Sequence, residues 1–246
     1  MGDLPVSVVV GGTRGIGGAI ARILAGPETT LVLNHLQDRR SAELLAAELE
    51  LLGTKIILVE GNIGDKEIQK EIVAAVAEAG GRCRHLVHSV AVTSFKPLSA
   101  VKPRQWDLIF AISARTLLEM AVALEGPLEK AGGAIVAISS QGSVRHVPNY
   151  GALGAAKAAL EAVVRELAVE YGPRGVRVNA VRAGLVESEV LDHLPPESSA
   201  VISERTPLGR LGTPAEIAAA AHFLLGPGAA WVTGQVLDVD GGFSVV

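Results

Sequence analysis

Two ionisable side chains, Tyr150 and Lys157, stand seven residues apart in the stretch "NYGALGAAKAAL". Seven residues of α-helix advance about 700°, within roughly 20° of two full turns, and about 10.5 Å along the axis, so the pair shares one helix face. A phenol with its ordinary pKa near ~10 is a poor acid at neutral pH. Lowering it by about three units takes about 4 kcal/mol of preferential stabilisation of the phenolate, which a nearby ammonium in a dry site helps to supply. The spacing therefore predicts an acid–base pair, with Tyr150 at the helix start and Lys157 far enough along to hydrogen-bond a ribose. Taken alone, such a pair is more often surface decoration. Its company argues otherwise: a strand ending "AISS" lies just upstream, and a glycine-rich turn lies near the start of the chain.

That turn, "VVVGGTRGIGGAIA" (8–21), places Gly11, Gly15 and Gly17 where an apolar strand hands over to a helix, with Thr13, Arg14 and Ile16 between them. Glycines there permit a tight turn and let backbone N–H groups approach a pyrophosphate at a helix N-terminus. A bare glycine pattern is weak; directly after the first strand of an alternating chain it points to a dinucleotide. The next strand ends at Asn34, and no carboxylate stands there to accept from a ribose 2′-hydroxyl. Arg14, with Arg39 and Arg40 just past that strand, can instead meet a 2′-phosphate, with His35 lining the same pocket. This favours NADPH over NADH, although a solvated helix start also explains Arg39 and Arg40. "GNIGD" (61–65), after the third strand, is expected to set Asn62 and Ile63 against the adenine.

These groups need a scaffold, and the rest of the chain reads as one. The runs at 5–10, 30–33, 55–60, 85–90, 134–139, 176–181 and 235–240 read as seven strands. Between them, Ala/Leu/Glu-rich segments such as 41–52, 66–79, 106–125, 152–171 and 214–225 carry apolar residues at helical spacing. Alternating strands and helices predict an α/β, doubly wound, seven-stranded parallel sheet covered on both faces, as one domain over 1–246. The polar stretch 186–207 breaks the rhythm after a strand end and is expected to be a substrate-covering lid, an ordinary connector being the alternative. Net charge is −4 with mixed signs, so no basic field advertises nucleic acid, and no apolar run is long enough to span a membrane. The single cysteine, Cys83, makes no internal disulfide, and the start lacks a basic-then-apolar leader, so the expectation is a cytoplasmic protein.

Together the glycine loop, the Tyr/Lys helix, "VRVNAVRAG" (176–184) and "GQVLDVDGGF" (234–243) resemble, in order, a short-chain dehydrogenase/reductase over essentially the whole chain. Against the common pattern of that family, "HSVA" (88–91) replaces Asn-Asn-Ala-Gly, Ser113 replaces a helix asparagine, and the interval is Tyr-x6-Lys where Tyr-x3-Lys is usual. "LVHSVA", "SSQGSVRHVPNYGALGAAKAALEA" and the wide interval resemble the enoyl-acyl-carrier-protein reductase branch, in particular its third, Bacillus-type, NADPH-using class. The resemblance implies a Rossmann-type fold and hydride delivery to the β-carbon of an α,β-unsaturated acyl thioester, bound to CoA or a carrier protein. It implies Tyr150 as donor to the enolate oxygen, Lys157 on the nicotinamide ribose and Ser140 at the branch's second active-site position. Ser89, Val90, Ala91 and Ser139 would approach the cofactor, and Ala183, Gly184 and Val186 the carboxamide. "RAG" in place of Pro-Gly is expected to leave that last loop less rigid. The helices at 106–125 and 152–171 resemble those that pair subunits, implying a homotetramer or homodimer.

Two rivals stay open: a ketoreductase or alcohol dehydrogenase of the same superfamily, and a non-catalytic NADP-binding regulator. The acidic residues of 186–207 do not suit an acidic carrier, so docking would fall to Arg182, Arg205, Arg210 or another surface, and a CoA-bound or free substrate is favoured over a carrier-bound one. His85 and His88 lie on opposite strand faces and are not expected to bind metal; Arg145 and His146 either touch substrate or cap a loop.

Overall fold

The computed structural model describes residues 5–92, 94–188, 191 and 198–246. The β-branched runs form seven parallel strands: β1 (Val6–Val10), β2 (Thr30–His35), β3 (Lys55–Glu60), β4 (Cys83–His88), β5 (Ala134–Ser140), β6 (Arg177–Ala183) and β7 (Val236–Val239). They lie in the order β3-β2-β1-β4-β5-β6-β7. β1 and β2 are buried at every residue, because helices cover both faces, while the edge strands β3 and β7 expose side chains. This is the expected doubly wound sheet. The chain runs outward from β1 to β3, then returns to lay β4 beside β1, so the strand order reverses between them. In such sheets ligands bind at that switch point, beyond the C-terminal strand ends.

Alternation along each strand divides the core in two. Val8 and Val10 face one side, with α3 (Lys66–Glu78), α5 (Thr116–Ala123), α6 (Glu125–Ala131) and α7 (Gly151–Tyr171). Val9 faces the other, with α1 (Gly15–Leu24), α2 (Arg39–Glu50) and α9 (Pro214–Leu225). Among the described residues no helix is long and apolar enough to cross a membrane. Cys83 is a buried free thiol, its pKa pushed up to about 12 by burial.

One helix expected over 106–125 is divided. α4 (Pro103–Phe110) passes through a π-helical turn, Ala111–Arg115, before α5 begins. The cause is a tertiary contact. Thr116 Oγ1 donates back to the Ile112 carbonyl at 2.7 Å and lies 2.8 Å from Nε2 of buried His88 on β4. Back-bonding of this kind bends helices, and π turns are frequent at functional sites. Here the turn brings Ser113 against the chain leaving β4, where its Oγ accepts from Val92 N at 3.4 Å.

Of the lid expected over 186–207, residues 189, 190 and 192–197 lie outside the described residues. Its described parts are anchored: Val186 pairs with Gly212, and α8 (Ser198–Arg205) precedes buried Thr206. α9 is capped by a reciprocal Thr213–Glu216 box, which satisfies amide groups at its first turn. Thr213→Ala should cost about 1 kcal/mol, read as a lowered midpoint in chemical denaturation; an unchanged midpoint would show the cap to be idle.

Candidate active site

The first part of the site is the turn after β1. Gly11 has φ +73° and lies so close to the β4 end that a Cβ there would sit 2.7 Å from both the Ser89 carbonyl oxygen and Val90 Cγ1. A Cβ on Gly17 would collide with the Gly11 carbonyl. The turn is therefore closed to side chains at both positions, and its backbone can approach a ligand. Gly11 N and Gly12 N both donate to Asn34 O at 3.1 Å, which ties the turn to the end of β2. Buried Thr13, half-buried Ile16 and exposed Gly15 complete it.

Several residues expected to touch an adenosine do other work. Asn34 Nδ2 donates to the carbonyls of Val59 and Gly61 at 3.1 and 3.0 Å, so its side chain bolts β2 to β3. The Ile63 side chain packs in the core and its carbonyl accepts from Gln69, leaving no face toward a base. Asn62 Oδ1 turns back onto Gly64 N at 2.9 Å. The region beyond β2 also holds the carboxylates that Asn34 suggested were missing. Arg14 lies 3.6 Å from Asp38, and Arg39 lies 2.9 Å from Glu43 and 3.9 Å from Glu60. Buried His35 keeps Nδ1 without a hydrogen-bond partner among the described residues. The glycine turn, the switch point and this polar rim fit a dinucleotide.

The second part is the phenol. Tyr150 is the N-cap of α7, and the residue before it, Asn149, turns the chain with φ +59°, a left-handed conformation that asparagine tolerates well. Lys96 N donates to the Asn149 carbonyl at 3.0 Å, and the Phe95 ring lies 6.2 Å from that of Tyr150. Beneath the ring is Gly142, where any Cβ would collide with the tyrosine's Cδ1 and Cε1. Gly154, on the first turn of α7, is pressed in turn against the Gly142 carbonyl, and a Cβ there would collide with it. Position 154 is where a Tyr-x3-Lys enzyme keeps its lysine. Here it admits no side chain.

The third part is the ammonium. Lys157 is buried, and its Nζ donates to the carbonyls of Ile138 at 2.7 Å and Val90 at 3.2 Å, joining the ends of β5 and β4. Burial lowers its pKa to about 8, opposed by the Glu161 carboxylate. Tyr150 departs from expectation. Burial raises its pKa, and the group that favours the phenolate is Ser140, not the lysine. The lysine is turned onto carbonyls, so the pair as it stands keeps a neutral phenol. Ser140 Oγ is buried and makes no hydrogen bond of regular geometry among the described residues, leaving it available beside the phenol.

Ser139, expected at the cofactor, instead donates to Glu161 Oε1 at 2.6 Å on the other side of the strand. Arg182 corrects a further expectation. It donates to both oxygens of Glu161, at 3.0 and 2.8 Å, and to both of Asp238 at 2.9 Å, so the "RAG" segment is anchored. Gly184 N donates to Val239 O, and a Cβ on Gly184 would lie 2.8 Å from Asp240 Cα. Ala183, Gly184 and Val186 thus leave β6 level with Ser140, whose register partner is Ala183. Half-buried Ser89 and Val90 and exposed Ala91 leave β4 beside the Gly11 turn.

Arg145 donates to the carbonyls of Phe243 and Ser244, capping the C-terminal turn, while His146 is exposed. His85 bonds Ser7 and His88 bonds Thr116, and among the described residues no cluster suits a metal. Asn149, Gly142, Glu161 and Arg182 were missed as site residues. Only Glu161 had a local signal, one helical turn past Lys157. Replacing Gly154 by Ala should cost about 1–3 kcal/mol through overpacking against Gly142. Thermal unfolding measures this, and an unaltered midpoint would mean that the loop yields freely.

Comparison with known proteins places this geometry. A family model described as enoyl-(acyl carrier protein) reductase matches residues 10–244. The chain is 38% identical to 1-cyclohexenylcarbonyl-CoA reductase of Streptomyces collinus, covering 98% of this chain and 87% of that one. It is 28% identical to a 3-oxoacyl-(acyl-carrier-protein) reductase of Thermotoga maritima, with 98% of each chain covered. A crystal structure of a putative gluconate dehydrogenase from Agrobacterium tumefaciens superposes with a TM-score of 0.92 at 25% identity, over 98% of this chain and 96% of that one. By fold, glycine turn and end-to-end similarity, the chain belongs to the short-chain dehydrogenase/reductase superfamily, oxidoreductases that bind a nicotinamide dinucleotide.

Proposed function

We propose that the protein uses NADPH to reduce the C=C bond of an α,β-unsaturated acyl thioester. The observation that carries this reading is the seven-residue interval from Tyr150 to Lys157, with the four-residue position, Gly154, sterically closed by the Gly142 carbonyl. The half-buried Tyr150 keeps a neutral phenol, its pKa raised by burial. When bound, the reduced nicotinamide supplies the hydride that adds to the β-carbon. The thioester oxygen then gathers enolate charge, and a protonated Tyr150 donates to it, a contribution of roughly 3–4 kcal/mol for one well-placed donor. Collapse of the enolate, with a proton from solvent taken up at the α-carbon, completes the saturated thioester. Alcohol oxidation would call for a phenolate base, which burial here opposes. Lys157, with one of its three protons still unspent, would hold the nicotinamide ribose and supply positive charge there. Ser140 Oγ orients the phenol.

Four of the chain's eight aromatic side chains gather near the phenol: Phe95, Trp106, Phe110 and Tyr150 itself. Such a wall suits an apolar acyl group. CoA is favoured over an acidic carrier protein as the thiol. Of the three candidate docking cations, Arg182 is bound to Glu161 and Asp238, Arg210 to Glu216, and Arg205 lies over the Phe243 ring. Exposed Leu118 and Val122 on α5 and Val169 on α7 suit a homodimer or homotetramer. Burial of the one cysteine as a free thiol suits the cytoplasm.

Oxidation of NADPH with crotonyl-CoA should proceed and be lost in Tyr150→Phe and Lys157→Ala; turnover of acetoacetyl-CoA alone would assign a ketoreductase instead. Because the lysine must carry its proton, and its pKa is lowered to about 8, kcat/KM for crotonyl-CoA should fall as pH rises through about 8. A profile flat across that range would remove the charged lysine from the mechanism. For the cofactor, Arg14→Ala should weaken NADPH binding about tenfold and leave NADH unaffected, as read by fluorescence titration. Equal effects on both would count against a 2′-phosphate contact.

A further inference from the structure

Glu161 is only 4% exposed, yet no part of the proposed chemistry uses it. Its Oε1 accepts from Ser139 at 2.6 Å and Arg182 Nε at 3.0 Å, with Ser143 Oγ at 2.6 Å; its Oε2 accepts from Arg182 Nη2 at 2.8 Å. Ser143 Oγ also lies 2.8 Å from the Ser140 carbonyl, so its one proton is shared between two acceptors. Gln141 is held as well, donating to Asp238 at 3.2 Å and Asp240 at 2.8 Å. Ser139, at the end of β5, and Gln141 and Ser143, in the 3-10 turn Gln141–Ser143 that follows, are thus held by this network. Within the same short strip, Ser140 lies toward the phenol and Gly142 beneath its ring. One turn back along α7 is Lys157.

We propose, resting on the reading that Tyr150 and Lys157 carry the reaction, that Glu161 is the positioning residue for both. Its carboxylate clamps the strip that seats the phenol and stands as the nearest counter-charge to the ammonium. Arg182 neutralises the carboxylate from behind, which makes burying it tolerable. Among the described residues no other group facing the lysine carries negative charge. His88 on β4 has its pKa lowered to about 3 by burial and is neutral, the neighbouring strand ends offer only carbonyls, and Tyr150 is a neutral phenol.

The test follows the lysine directly, by NMR titration of ¹³Cε-labelled lysine with the Lys157 signal assigned from Lys157→Met. In Glu161→Gln the titration should move to lower pH by about half a unit or more, because the carboxylate favours the charged amine. In the same variant kcat on crotonyl-CoA should fall about tenfold with NADPH affinity little changed. Glu161→Asp keeps the charge and shortens the reach, so it should leave the titration in place and still lower kcat. Ser143→Ala, which removes one clamp contact without stranding a charge, should also lower kcat, and it serves with Glu161→Asp if Glu161→Gln does not fold. A lowered melting temperature with an unmoved lysine titration in Glu161→Gln would overturn the proposal and leave a merely structural residue. So would unaltered kcat in both Glu161→Asp and Ser143→Ala. Were the wild type to reduce no enoyl thioester, the proposed function would fall, while the lysine titration would still decide whether Glu161 sets the charge at Lys157.

Discussion

A single buried ammonium organises the site. Lys157 reaches the strand ends from α7 and satisfies two of its three protons on the carbonyls of Ile138 and Val90. A cation so placed is expensive to desolvate and survives only with hydrogen bonds and a counter-charge. The requirement spreads outward. Glu161 must be near, Arg182 must balance Glu161, and Asp238 on the edge strand must occupy the remaining face of Arg182. Four strand ends, those of β4, β5, β6 and β7, and one helix are thereby tied together at the sheet end where a ligand would lie. His88 is held neutral beside the lysine first by its own burial and then by the lysine's charge.

The two halves of the site differ in character. Around the glycine turn and the end of β2, exposed arginines are matched with exposed or half-buried carboxylates in pairs that are individually weak. Around Lys157, buried groups have few and fixed partners. One half is a surface that exchanges partners readily; the other is a preorganised polar interior, where geometry matters more than net charge.

The parallel sheet, its seven strands and most helix limits were legible in the sequence, because Val/Ile runs and helical periodicity are local signals that tertiary contacts reinforced. The glycine turn was legible for the same reason. What escaped depended on distant partners. The π turn follows from His88 meeting Thr116, 28 residues away, within a stretch whose own propensity is plainly helical. Arg182 looked like a weakness in a loop because its partners, Glu161 and Asp238, lie 21 and 56 residues off. Ile63 and Asn34 were assigned outward by position in a motif, whereas burial turned one into the core and spent the other on strand pairing. The Tyr–Lys pair was found, but its electrostatics were not: helical spacing shows that two groups share a face, and says nothing of which carbonyls the amine will choose.

The contact of Gly154 with the Gly142 carbonyl also bears on where this chain can keep its lysine. Moving the lysine from one interval to the other is not a single step. Any residue larger than glycine at 154 displaces the segment under the tyrosine, and a lysine withdrawn from 157 abandons the strand ends before its replacement can reach them. In this structure a change of interval requires the segment and the helix to be remodelled together, so the place of the lysine is set as much by the turn beneath the phenol as by the helix that carries it.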